Sequence, residues 1–160
     1  MTGTKAVAVQ FSKYEMVPPH NTSPIRAVAG IAAILTIAAG LAVRKWLPWG
    51  FWSKYSGVAL WSVVVYTLVV FVRPRAGMTR SAAIALLISW AVEFAQLTPV
   101  SGWLSSKHAG LRLIFGEHFS FRDLPAYAVG VLAAAIGHVL TLNASAVARR
   151  ARRRPGETPL

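Results

Sequence analysis

The chain has 160 residues, a formal net charge of +12 and a hydrophobic fraction of 55%. So apolar a composition excludes an ordinary water-soluble domain. The basic residues separate long apolar segments instead of covering one face, which argues against a nucleic-acid partner. The sequence contains no cysteine, so disulfides and cysteine-ligated zinc sites are excluded.

Four apolar segments follow one another along the chain, at 27–43, 57–72, 81–100 and 124–142. A helix needs about 20 residues to cross the roughly 30 Å hydrocarbon core of a bilayer, and these segments approach or reach that length. The sequence therefore predicts an all-α fold, a four-helix transmembrane bundle formed by residues 26–143. Residues 1–25 are predicted to be a flexible leader, and residues 144–160 a basic flexible tail.

The distribution of basic residues predicts the direction of the bundle. Of the 17 lysines and arginines, 11 fall on the side that contains both termini. The positive-inside rule therefore places both termini in the cytoplasm. Five of the 11 lie in the stretch Arg149–Arg154, which is predicted to contact anionic membrane lipids.

Glu93 is an acidic residue inside the predicted span 81–100, and Gln96 follows on nearly the same helix face. An ionisable side chain at the centre of a membrane helix costs about 2.5–3.5 kcal/mol, so it indicates a functional site by default. The alternative is a structural hydrogen bond to a neighbouring helix, worth about 0.6–2 kcal/mol.

The fourth predicted helix begins next to two further polar residues, Asp123 and Tyr127. If the third and fourth helices pack antiparallel, both residues reach the level of Glu93 in the outer half of the membrane. Arg112 and Arg122 are the nearest candidate counter-charges. Asp123 is equally well explained as a helix start, and Tyr127 as an interfacial phenol.

Small residues also follow one another at helical spacing in this helix, at Ala126, Gly130 and Ala134, which lets two helix backbones approach closely. His138 lies lower on the helix and is predicted to be a helix-end residue outside the polar cluster.

No metal or cofactor is predicted. His108, Glu117 and His118 lie in the loop before the fourth helix, but their spacing matches no standard ligand pattern. The sequence also lacks a phosphate-binding glycine loop and the HExxH and GxSxG motifs.

Four segments of the chain resemble the DUF2809 family of small bacterial integral membrane proteins, over about residues 26–140: GLAVRKWLP, KYSGVALW, EFAQ and FGEHFSFRDLPAYAVG. This family is distantly similar to VanZ-like proteins. Its more specific motif residues fall on Glu93, Gln96, Asp123, Tyr127 and Gly130, with Gly116 and Phe119 before the fourth helix. The resemblance would also place an acidic residue after Gly57, where this chain has Val58.

The resemblance implies a multi-pass protein of the bacterial plasma membrane with an envelope-related ligand. Our leading hypothesis is an outward-facing polar site for a cell-envelope or lipid headgroup; its enzymatic version is hydrolysis or transfer on a lipid-linked substrate. The second hypothesis is a non-catalytic accessory or scaffold subunit whose polar cluster fixes helix packing or binds a partner. The third is proton-coupled transport by a homo-oligomer, although one copy offers few spans for alternating access.

Overall fold

A computed structural model of the chain describes residues 22–48, 50–107 and 119–152. Within those residues the structure has five α-helices and no strand: α1 (Ser23–Trp46), α2 (Phe51–Val72), α3 (Met78–Ala95), α4 (Pro99–Lys107) and α5 (Asp123–Arg152). All except α4 are long and apolar enough to cross a membrane. The predicted all-helical fold is therefore confirmed for the described residues. Its four long apolar helices support a multi-pass membrane protein.

Prolines and one glycine determine several of the helix ends. Pro24 lies in the first turn of α1, where its missing N–H is not needed. α1 ends before Leu47, which is extended (φ −85°, ψ 133°) as residues before a proline prefer, and Pro48 follows. α2 ends at Val72, and Arg73, the residue before Pro74, leaves the helical conformation (φ −122°, ψ 66°). Gly77 precedes α3 with φ +76°, a conformation that side chains disfavour.

The third span is shorter than predicted, because α3 ends at Ala95 and not at residue 100. Pro99 lacks a backbone N–H and disfavours a helical residue before it. The chain therefore tightens into consecutive i→i−3 turns, with Leu97 N bonded to Phe94 O and Thr98 N to Ala95 O. The separate helix α4 then begins at Pro99. Glu93 consequently lies in the last turn of a helix and not within its interior.

The fourth span is longer than predicted. α5 continues to Arg152, so residues 144–152 of the predicted flexible tail are helical. This stretch is rich in alanine and arginine, which favour helix, and the next helix-breaking residue is Pro155. The remaining tail residues, 153–160, and residues 1–21 of the predicted leader lie outside the described residues.

Helix α2 is central to the bundle, because it packs against α1, α3 and α5, while α3 also packs against α5. The buried apolar core comes mainly from α2, with contributions from the other spans: Ala29, Val65, Tyr66, Val69, Val70, Ala85, Val131 and Ala135. α1 buries only Ala29 and Ala33, and most of its large apolar side chains are exposed, as expected of a lipid-facing surface.

Two contacts fix α5 against α2. A methyl group built on Gly130 would overlap Ser62 Oγ and the carbonyl oxygen of Ala59, so only glycine permits this helix approach. Further along, the Tyr66 hydroxyl group and His138 Nδ1 share a 2.9 Å hydrogen bond. His138 was predicted to end its helix, but it lies well inside α5 because this helix continues to Arg152.

The two ends of the bundle differ in chemistry. At one end α3 ends and α2 and α5 begin; we call it the site end. At the other end α1 begins and the α2–α3 turn, residues 73–77, joins two spans; we call it the arginine end.

Candidate polar site at the start of α5

The Glu93 side chain is 1% exposed, although it lies only two residues before the end of α3. It is about 22 Å along the helix axis from Met78, so it belongs to the site end of the span. Neighbouring segments of the protein, and not depth in the membrane alone, therefore remove this carboxylate from solvent. Such burial requires hydrogen-bond partners.

Both oxygens of the Glu93 carboxylate accept a hydrogen bond. The backbone N–H of Ser120 donates to Oε1 at 2.7 Å, and the Tyr127 hydroxyl group donates to Oε2 at 2.7 Å. Hydrogen bonds to a carboxylate are shorter and stronger than those between neutral groups. The nearby N-terminus of α5 also favours a negative charge. We call these three residues the carboxylate cluster.

Further contacts beside the carboxylate cluster hold the same two segments together. The rings of Phe94 and Phe119 stack with centroids 5.9 Å apart, and Phe119 meets Phe121 edge-on at 4.6 Å. Below them, Trp90 Nε1 donates to the carbonyl oxygen of Leu124 at 3.4 Å. The end of α3 is therefore joined to the start of α5 by side chains on both.

An ion pair joins the start of α5 to α2. Lys54 Nζ lies 3.1 Å from Asp123 Oδ1. Asp123 is 6% exposed, whereas the Lys54 side chain is 51% exposed. Apart from this ammonium group, Oδ1 has no hydrogen-bond donor within the described part of the chain. The pair thus combines a buried acceptor with an accessible cation.

The cation that pairs with Asp123 is Lys54, whereas the predicted candidate counter-charges for the cluster were Arg112 and Arg122. Arg122 is exposed, and Lys54 provides the cation instead. The physical reason is that α2 begins at Phe51, six residues before the predicted start, which brings Lys54 level with the first turn of α5. Arg112 lies outside the described residues.

The remaining predicted site residues have different positions. Gln96 lies half-buried in the turn that follows α3. Gly130 serves the close approach of α5 to α2, described above, and lies about one turn beyond Tyr127 of the carboxylate cluster. Gly116 lies outside the described residues, as do His108, Glu117 and His118.

Sequence reasoning did not find Lys54, the Ser120 backbone donor or the environment of Trp61. Trp61 lies seven residues after Lys54 and therefore on nearly the same face of α2. Its indole N–H is buried without a hydrogen-bond acceptor among the described residues. The sequence does contain a signal for the pairing of Lys54 with Asp123, which is their similar depth in the membrane. Both residues directly precede long apolar segments at the same end of the bundle.

The geometry separates two chemical roles. Both oxygens of Glu93 are engaged by the protein, so this carboxylate can act as a base or ligand only after a hydrogen bond breaks. Lys54, in contrast, presents a half-exposed ammonium group beside a carboxylate oxygen with spare acceptor capacity. Within the described residues, no group of three metal-ligating side chains occurs.

These features define a multi-pass membrane protein with a buried polar cluster near one end of its bundle. Residues 47–131, just over half of the chain, match the family described as protein of unknown function (DUF2809), and the chain belongs to this family. The matched region starts directly after α1 and contains both the carboxylate cluster and the ion pair. No curated protein and no solved structure matches the chain.

Proposed function

We propose that this protein binds a polar headgroup of the cell envelope or of the lipid bilayer at its site end. The ion pair of Lys54 and Asp123 carries the proposal, since one partner is buried and the other is accessible. A pair formed only for stability would gain little from a half-exposed lysine. Lys54 contacts the ligand in this proposal. Asp123 Oδ1 is buried, so it accepts a hydrogen bond from the ligand only when the Lys54 ammonium group moves toward the ligand.

The chemistry of the pair favours a ligand with both negative charge and hydrogen-bond donors. A lysine ammonium group binds phosphate as a point charge. The free acceptor capacity of Asp123 Oδ1 suits a hydroxyl or amine group. A phosphate-containing headgroup that also has hydroxyl or amine groups meets both requirements. Arg112 and Arg122, which are close in sequence to the start of α5, would add positive charge for such a ligand.

Aromatic residues support a location near the membrane surface. Trp46 at the end of α1 and Trp52 at the start of α2 are exposed, and so is Trp103 in α4. Exposed tryptophans are enriched at the interface between lipid and water. Together with the positive-inside rule, they support a site that faces outward from the bacterial plasma membrane, with both termini in the cytoplasm.

The carboxylate cluster has a supporting role in this proposal. Glu93 fixes Ser120 and Tyr127, and these two residues lie on either side of Asp123 in the sequence. The buried hydrogen bonds therefore position Asp123 for the ligand. Gln96, one turn beyond Glu93, adds a polar side chain at the same end of α3.

A second candidate function is favoured by the complete internal hydrogen bonding of Glu93. If the polar groups act only to fix helix packing, the protein is a non-catalytic accessory or scaffold subunit. The two functions differ in what Lys54 does. Lys54 contacts a ligand in the first and has little role in the second.

Native mass spectrometry of the purified full chain tests the proposal. The chain is reconstituted into bilayer discs of phosphatidylethanolamine and phosphatidylglycerol, and the retained lipids are counted after release into detergent. Lys54→Gln and Asp123→Asn should each reduce retention of one headgroup class about tenfold, the effect of one lost charge-assisted contact.

Lys45→Gln is the matched control, because Lys45 is an exposed lysine in the last turn of α1 at the same end. It should leave retention unchanged. Equal retention by the Lys54 and Lys45 variants would reject headgroup binding. If Glu93→Gln then lowers thermal stability while both lysine variants behave as the unaltered chain, the scaffold function is the better account.

A further inference from the structure

A basic cavity lies at the arginine end, opposite the carboxylate cluster. It has a volume of about 470 Å³ and lies between the start of α1, the α2–α3 turn and the first turns of α3. Four exposed arginines line it: Arg26, Arg73, Arg75 and Arg80. Among the described residues these arginines form no ion pair, and the acidic side chains, Glu93 and Asp123, are at the site end.

We propose that this cavity binds the phosphate groups of an anionic phospholipid. A guanidinium group forms paired hydrogen bonds with phosphate oxygens, which a lysine cannot reproduce. The volume is within the range of natural ligand pockets. Four guanidinium groups match a headgroup with two phosphates better than one with a single phosphate. Basic pockets between membrane helices are a known way to bind such lipids.

The start of α3 adds to the positive potential of the cavity. α3 begins at Met78, and no side chain caps its first turn. Its first N–H groups therefore remain free of a side-chain acceptor, and the helix dipole is positive there. Arg80 lies in this same turn and lines the cavity. The helix end and the arginines thus attract an anion together.

The surroundings of the cavity favour a lipid over a free phosphate ion. Val72 and Ile84 contribute apolar surface to its lining. Val28 and Phe71, near the same ends of α1 and α2, are large apolar residues that remain exposed. Acyl chains can pack along such side chains while the headgroup lies against the arginines. A soluble anion would gain nothing from this apolar surface.

The lipid site is independent of the function proposed for the site end. Arg80 and Glu93 are 13 residues apart on α3, about 20 Å along the helix axis. A substitution at one end therefore leaves the other end intact. Failure of either proposal leaves the other standing.

The test uses the full chain in discs of phosphatidylcholine that contain either cardiolipin or phosphatidylglycerol. Retained lipid is measured by native mass spectrometry for the unaltered chain and for the double variant Arg73→Lys, Arg75→Lys. This variant keeps every charge but removes the paired geometry, so cardiolipin retention should fall about tenfold. Arg44→Lys, a conservative change at the other end of α1, is the matched control and should have no effect.

Three results would overturn the proposal. Equal cardiolipin retention by the double lysine variant would show that net charge alone attracts lipid. Equal retention of phosphatidylcholine and the anionic lipids would show that the cavity does not select phosphate charge. If millimolar inorganic phosphate raises the thermal stability of the delipidated chain as much as cardiolipin does, the ligand is a free anion. Circular dichroism confirms that each variant is folded.

Discussion

The Tyr127 hydroxyl group donates a 2.7 Å hydrogen bond to Oε2 of Glu93, across a separation of 34 residues in the sequence. Glu93 lies in the last turn of α3, and Tyr127 lies in the second turn of α5. Because the Ser120 N–H donates to the other carboxylate oxygen, the Glu93 side chain joins two helices and the segment between them. The contribution of the Glu93 side chain to stability can be measured by unfolding, separately from any contribution to ligand binding.

Tyr127→Phe should lower the stability of the bundle. The substitution removes only the hydroxyl group and leaves one oxygen of a buried carboxylate without its donor, at a cost of about 1.5–3 kcal/mol. The measurement is the free energy of unfolding in detergent micelles. Tyr55→Phe is the matched control, because the Tyr55 hydroxyl group has no hydrogen bond within the described residues. Equal losses for both variants would contradict the assigned role.

Glu93→Gln should release the segment before α5. An amide group has one oxygen and one NH₂ group, so it cannot accept hydrogen bonds on both sides as the carboxylate does. The Ser120 N–H or the Tyr127 hydroxyl group then loses its acceptor. Hydrogen exchange of the Ser120 amide should become faster, by about tenfold for each 1.4 kcal/mol of lost protection. An unchanged Ser120 exchange rate would show that its amide is protected by other groups.

Gly130→Ala should destabilise the protein strongly. The added methyl group would overlap Ser62 Oγ and the Ala59 carbonyl, and the latter belongs to a backbone that cannot rotate away. Overpacking of this kind typically costs about 1–3 kcal/mol. Gly137→Ala, on the same helix, meets no atom within 4 Å and should be neutral or slightly stabilising. Thermal unfolding of the two variants in parallel tests this difference.

The Tyr66–His138 hydrogen bond should contribute a modest coupling between α2 and α5. A double-mutant cycle with Tyr66→Phe and His138→Ala is expected to give about 0.6 kcal/mol, the average for hydrogen bonds between membrane helices. Thermal unfolding in detergent provides the stabilities. Additive losses would show that the 2.9 Å contact adds nothing beyond packing.

The number and approximate position of the spans could be predicted from the sequence, because membrane helices are apolar over a known length. Their ends were harder to place. An apolar run continues to residue 100, but Pro99 ends α3 at Ala95 through backbone sterics that hydropathy does not measure. At the end of α5, the charge of an arginine-rich stretch predicts a flexible tail, but its residues favour helix and the structure is helical there to Arg152.

The candidate site could be predicted in part. Antiparallel packing of two adjacent spans is enough to place Glu93, Asp123 and Tyr127 near one level. The cation that pairs with Asp123 could not be predicted in this way, because closeness in sequence points to Arg112 and Arg122 while the folded chain uses Lys54 from another helix. The pairing of Tyr66 with His138 was missed for a related reason. Predicting this pair requires the depth of each residue in the membrane, counted from the start of its own helix. The predicted start of α2 is six residues too late.

The described polar contacts between different spans all include a residue of α5 or of the segment just before it. During synthesis α5 follows the other described spans, so Glu93 and Lys54 enter the bilayer before the groups that will meet them have left the ribosome. Insertion machinery or water must accommodate these charges during that interval. Arrival of α5 and the segment before it therefore supplies hydrogen-bond donors to Glu93 and a counter-charge to Lys54 in one step. A nascent chain stalled before residue 119 would still display an unmatched acid to cellular quality control.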